Sequence, residues 1–176
     1  MTNNDKEKAD TLGQFFASVF TSEPHGSWEL KNCPEVKKQL AISISEGNIL
    51  KRLSKIKISK SPGPDNVHPR VLYELRHSLA KPLCIIFNTS LNTGELPSIW
   101  KEANISAIHK KGSKQLAGNY RPVSLTSIVC KLLEAIIRDA IITYMKANNF
   151  FSNKQFVFLS GRSTVLQLLK VVDKWS

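Results

Sequence analysis

The chain has 176 residues, 41% of them hydrophobic, enough to bury one sizeable core and too few for two full domains. Lysine and arginine number 25 against 14 aspartate and glutamate, a net charge of +11, and the excess lies C-terminally: residues 1–50 hold 5 basic and 7 acidic side chains, residues 51–176 hold 20 and 7. Three scattered cysteines and a polar start, with no apolar run near the roughly 20 residues of a bilayer span, exclude a disulfide framework, a zinc site, a signal peptide and a transmembrane helix.

Residues 4–20 read as a helix, because Leu12, Phe15, Phe16, Val19 and Phe20 recur at three- and four-residue spacing behind a charged first turn. These apolar residues are expected to pack. Pro24, Gly26 and Pro34 make 21–43 a linker. Ser45 can cap a helix through Ile49, Leu50, Leu53 and Ile56, with Lys51, Arg52, Lys55 and Lys57 on its exposed face. The run Ser59-Lys60-Ser61-Pro62-Gly63-Pro64-Asp65-Asn66 cannot continue a helix and predicts a rigid, exposed loop. Pro69 suits the first position of a helix with Val71, Leu72, Leu75 and Leu79 as its apolar face. Pro82 starts another through Leu83, Ile86, Phe87 and Leu91, ended by Gly94, and Trp100 is expected to pack on the core.

Residues 103–109 read as a strand with Ile105 and Ala107 on one face, followed by a polar loop at 112–118 and a second strand at 121–125. Pro122 places that strand at an edge or beside a bulge. The strongest helix follows, with Ile128/Val129, Leu132/Leu133, Ile136/Ile137, Ala140/Ile141 and Tyr144/Met145 at a strict four-residue repeat. Thr126 or Ser127 can cap it, Glu134 can pair with Arg138, and Asn148-Asn149 can end it. Ser163 can cap a last helix holding Val165, Leu168, Leu169 and Val172.

Chemistry concentrates in Ile108-His109-Lys110-Lys111-Gly112 and Asn119-Tyr120-Arg121-Pro122-Val123. Two lysines and one arginine on a strand-loop-strand suit phosphate: the guanidinium is a planar fork, the ammonium groups are point charges, and the glycine permits a sharp turn. Taken in isolation the same charges also describe a solvated basic hairpin. The charge asymmetry favours a polyanion partner, nucleic acid foremost. No catalytic or metal-binding residues emerge. There is no adjacent acidic pair, no GxSxG elbow and no GxxxxGK[ST] loop, the histidines lack metal-ligand spacing, and Gly112-Ser113-Lys114 matches a phosphate loop only by accident.

Four segments in order carry a resemblance: SKSPGPDNVHPRVLYEL at 59–75, PSIWKEANISAIHKKG at 97–112, GNYRPVSLTSIVCKLLEAII at 118–137 and NKQFVFLSGRSTVLQLL at 153–169. Together they resemble the N-terminal portion of the reverse transcriptase of non-LTR (LINE-type, jockey-like) retrotransposons. EKADTLGQFFASVFTSEP at 7–24 is similar to the connector that precedes the polymerase in such elements. The division implied is a helical connector and linker at 1–44 and a truncated fingers region at 45–176. The fold implied is α+β, mainly helical with a small antiparallel sheet, as in the fingers and the approach to the palm of a right-hand polymerase.

The resemblance implies that Arg121, with Lys110 or Lys111, meets the triphosphate of the incoming nucleotide. It places Lys60 and the 61–65 loop near the template, with Gln155, Arg162 and Ser163 bordering template and nucleotide. Val157 stands where the family usually has glycine and Leu159 where a basic residue is common, changes that suit a decayed copy of a mobile element. The partners implied are an RNA template, a DNA primer and, for the complete enzyme, a dNTP. No membrane partner is expected, and the location implied is intracellular and nuclear. The carboxylates that gather magnesium in such polymerases are expected beyond Ser176, so no cofactor and no polymerase activity are expected of these residues alone. Two alternatives stand beside a polymerase fragment: a non-catalytic nucleic-acid-binding module, and a relic whose exposed apolar surface prevents stable folding.

Overall fold

The computed structural model describes residues 4–21, 42–152, 154–156 and 161–175. The linker expected over 21–43 lies almost wholly outside them, as do Cys33, Val157 and Leu159. The described residues form an α+β structure, mainly helical, with one two-stranded antiparallel sheet. They separate into two compact units, one of residues 4–21 and 43–134, the other of residues 135–175 with Ile42.

Helix α1 spans Asp5–Ser18, opened by Asn4, whose Oδ1 accepts from the Lys6 N–H at 3.0 Å. Phe16 is buried, but Val19 and Phe20 are 62% and 81% exposed, against expectation. The helix stops at Ser18, so both leave its apolar stripe just where the repeat would have turned them inward. Helix α2 spans Glu46–Leu53 behind Ser45, whose hydroxyl accepts from the Asn48 N–H. Its Ile49 and Leu53 are fully buried where it packs on the long helix described next, while Lys51, Lys55 and Lys57 are exposed and Arg52 is half-buried.

Helix α3 covers Pro69–Glu74 and helix α4 covers Arg76–Thr93. The break between them falls at Leu75, where the Arg76 guanidinium donates to Tyr73 O at 2.8 Å and lies over the Tyr73 ring. Val71 and Leu75 are therefore about half-exposed rather than part of a continuous apolar face. Pro82 does not start α4 but sits inside it. The helix survives because the proline removes only the N–H that would have met Ser78, and both residues are exposed, leaving that carbonyl to water. Gly94 closes α4 in the left-handed conformation at φ 71°. Ala80, Leu83 and Phe87 face the core, and Trp100 meets Phe87 edge-on at 5.8 Å. Asn88 straps the chain before α2 to α4 by donating to Ile44 O at 3.0 Å.

Strands β1 (Ala103–His109) and β2 (Tyr120–Thr126) pair antiparallel in the register Ala103↔Thr126 through His109↔Tyr120. Both are edge strands, which is how Pro122 is tolerated opposite Ala107. Helix α5 runs Ile128–Ala147; its start supplies Ile128, Val129, Cys130, Leu132 and Leu133 to the core of the first unit, and Ile136, in the second unit, is buried as well. Beyond residue 136 the repeat is only half-buried, with Ile141 39% exposed. Arg138 pairs with its neighbour Asp139 at 2.8 Å instead of with Glu134. Helix α6, Thr164–Asp173, begins at Ser163, whose hydroxyl accepts from the Leu166 N–H at 3.2 Å. Cys84 is half-buried and Cys130 buried, both as free thiols.

Candidate nucleic-acid interface

The β1–β2 hairpin is held differently at its two ends. At the base, the 59–66 loop is exposed at its ends, as expected, but its middle turns inward. Gly63 is buried, and a Cβ there would lie 2.5 Å from Ser127 N and 2.6 Å from Thr126 C. No side chain fits against backbone at that separation, so glycine is required by close approach. Ser127 is fully buried; its hydroxyl donates to Asp65 Oδ2 at 2.5 Å and accepts from the Cys130 N–H at 3.3 Å. The second Asp65 oxygen accepts from the Val67 N–H at 3.2 Å. One carboxylate thus organises its own turn and, through Ser127, the N-terminus of α5.

At the tip, the chain turns through residues 110–119. His109 donates from Nε2 to Gly112 O at 3.0 Å and meets the Tyr120 ring edge-on at 5.3 Å. Asn119 donates from Nδ2 to Ser113 O at 2.8 Å, and the Tyr120 hydroxyl donates to Lys114 O at 3.0 Å. Gly112 has φ +80°, and a Cβ on it would meet the Asn119 amide at 2.7 Å. These bonds tie side chains to the loop's carbonyls and leave the lysine amines alone.

The register decides which charges share a face. Arg121 stands opposite Ile108, and the Lys110 N–H donates to Asn119 O at 2.8 Å, which extends the ladder one step. Lys110 and Arg121 are therefore diagonal neighbours on one face, a relation that places such residues about 7–8 Å apart. Lys111 and Lys114 lie in the exposed turn beside them. All four are exposed, and among the described residues none forms an ion pair. Cations of that kind remain available to an anion.

The other residues expected at the site are placed elsewhere. Lys60 is exposed in the turn after α2, just before the buried Gly63. Gln155, Arg162 and Ser163 belong to the second unit. There the Arg162 guanidinium donates to Gln155 O at 2.6 Å and to Ser152 O at 3.3 Å, and lies over the Phe156 ring, holding the 152–156 turn. Ser163 serves as the cap of α6. Sequence reasoning missed Asp65, Asn119 and Tyr120 as organising residues. The signal available was the Asn-Tyr pair immediately before Arg121, in the same segment that carried the resemblance.

Fold and surface together define the class: a small α+β protein with a strand pair whose tip displays cations that form no ion pair among the described residues. No protein-family model matches the chain. It is similar to the probable RNA-directed DNA polymerase from transposon BS of Drosophila melanogaster, at 29% identity over 96% of the chain and 19% of the relative. It is similar also to the RNA-directed DNA polymerase from mobile element jockey, at 32% identity in Drosophila melanogaster (69% of the chain, 13% of the relative). The jockey polymerase of Drosophila funebris matches at 30% identity over 91% of the chain and 18% of the relative. Over most of its length the chain is thus similar to RNA-directed DNA polymerases of non-LTR retrotransposons, and it spans less than a fifth of the length of these curated relatives.

Proposed function

We propose that the chain is the fingers part of an RNA-directed DNA polymerase and that its hairpin tip grips phosphate. Lys110, Lys111 and Arg121 neutralise phosphate: the triphosphate of an incoming nucleotide in the complete polymerase and, in this chain alone, the backbone phosphates of a single strand. Lys60, and the second unit's turn with Gln155, Arg162 and Ser163, lie along the template. The observation that supports this most directly is Arg121 and Lys110 on one face of a ladder fixed at both ends, with no ion pair among the described residues. Positioning and charge neutralisation are what phosphoryl transfer asks of such groups. The partners are an RNA template and a DNA primer, and the place of action is inside the cell, in the nucleus.

The complete polymerase needs magnesium, which supplies the charge stabilisation at the reacting phosphate. The residues described here do not fit that ion: no three His, Cys, Asp or Glu side chains come together among them. In this reading catalysis belongs to carboxylates that the described residues do not supply, and these residues bind and orient.

The test is binding of a single-stranded RNA oligonucleotide, followed by fluorescence anisotropy between low and moderate salt. Affinity should fall steeply with salt. Replacing Lys110, Lys111 and Arg121 together by alanine should reduce the log–log salt slope by about 2, the loss expected for three phosphate contacts on a single strand. An unchanged slope would overturn the assignment. Primer extension by the 176-residue chain alone would overturn the assignment of catalysis elsewhere.

A further inference from the structure

The sheet has a second face, and it is not empty. Ala107, His109 and Tyr120 lie on the side opposite Arg121, as the strand alternation requires. There, within the first unit, helix α1 and the hairpin loop enclose a half-open cavity of about 480 Å³. That volume falls within the range of small-molecule sites. Its lining combines the apolar and aromatic residues Leu12, Ala107 and Tyr120 with the charged and polar residues Lys8, Lys114 and Gln115.

The chemistry of the lining restricts the occupant. A plain hydrophobe would leave the Lys114 ammonium unmatched, and a bare polyphosphate would leave the apolar lining facing water. A flat heterocycle carrying one phosphate satisfies both. Tyr120 is already fixed, because its hydroxyl donates to Lys114 O and its ring abuts His109. A ligand stacking on it therefore orders little that is not ordered beforehand. Gln115 offers both a donor and an acceptor to a base edge. Lys8 also donates to Asp5 Oδ1 at 2.9 Å, but that pair is exposed and leaves the ammonium with two further hydrogens.

We infer that this cavity takes one nucleotide unit of a single-stranded nucleic acid, its base against Tyr120 and its phosphate between Lys8 and Lys114. The inference deepens the nucleic-acid reading above, but it rests on the opposite face of the sheet from Arg121, so the two fail separately.

The experiment is backbone amide NMR on the 176-residue chain, titrated in turn with adenosine 5′-monophosphate, a single-stranded adenylate hexamer and inorganic phosphate. The nucleotide and the hexamer should move the amides of residues 8–12, 107 and 114–120 saturably, and phosphate alone should not. Lys8→Ala with Lys114→Ala should weaken nucleotide binding by at least about fivefold, while Lys146→Ala, at an exposed position of α5, leaves it unchanged. Both lysines are exposed, so retained amide dispersion will show that the double variant is folded. Shifts confined to Lys110 and Arg121, or equal shifts with phosphate, would overturn the site. A hexamer that leaves these amides unmoved while the mononucleotide shifts them would overturn the strand-borne assignment. An unchanged salt-dependent RNA affinity in the Arg121 variants with these shifts intact would refute the hairpin-tip reading alone.

Discussion

The two ends of one hairpin are built on opposite principles. The base is buried: Gly63, Asp65 and Ser127 bring residues more than sixty positions apart into backbone contact, and a charge-assisted hydrogen bond closes the junction. The tip is exposed, and its order comes from side chains that bond loop carbonyls, so that its cations carry no structural duty. A strand pair of only seven residues each has little stability of its own. Fixing it at the base lets the tip present charge in a defined register without charge being part of the scaffold.

The comparison breaks most severely at Gly63. Gly63→Ala should destabilise the first unit by about 3 kcal/mol, the upper part of the overpacking range, because the new methyl meets backbone that cannot rotate away. Chemical denaturation measures it directly, and a loss below about 1 kcal/mol would show that the loop shifts freely. Ser127→Ala comes next, at about 1–3 kcal/mol, since it strands a partly buried carboxylate oxygen and leaves the Cys130 N–H without its acceptor. A double-mutant cycle with Asp65→Ala sharpens the point: the two losses should be strongly non-additive, with a coupling of about 1–2 kcal/mol. Additive losses would mean that the bond contributes nothing.

At the tip the expected effects are smaller and of another kind. Tyr120→Phe deletes one partly solvated hydrogen bond to Lys114 O, so its cost should stay below about 1 kcal/mol. Its signature is local: hydrogen exchange at residues 113–117 should accelerate while the core amides of α4 keep their protection. A global loss of protection would place Tyr120 with the base rather than the tip.

How much of this was legible follows from the range of each interaction. Caps and turns are local, and Ser45, Ser163, Pro69 and Gly94 all act where their neighbours in sequence indicated. The strand pair and the four-residue repeat of α5 were equally readable, because periodicity needs only a window of the chain. Pro82 misled, because a proline is a helix start only by preference, and an exposed interior position tolerates it. The Pro-Gly loop misled more. Its composition speaks for a turn but is silent on what the turn packs against, and the contact to Ser127 is a tertiary fact. The same limit hid the tip. Arg121 and the lysines stand out as charges, whereas the residues that hold the turn, Asn119 and Tyr120, look like ordinary loop neighbours until the register is known.

The smallest effect distinguishes the two ends by acid–base behaviour. Cys130 sits at the buried base, in the first turn of α5, with its thiol donating to Glu134 Oε1 at 3.6 Å. Burial first, and then the neighbouring Glu134 carboxylate, push the thiol up to about 11 from its usual 9.0. The native chain therefore keeps this proton where the unfolded chain releases it. Between about pH 9 and 11 the unfolded state binds fewer protons, so stability falls as pH rises through that window, and below it this group contributes no pH dependence. Denaturation followed from neutral pH to pH 11 should give a steeper alkaline loss for the natural chain than for Cys130→Ala. Iodoacetamide should react with Cys130 far more slowly in the native state than after unfolding, because the thiolate is the reactive form. Equal alkaline slopes, or rapid native labelling, would mean that the base of the hairpin opens to solvent, and the contrast between a locked base and a displayed tip would not survive.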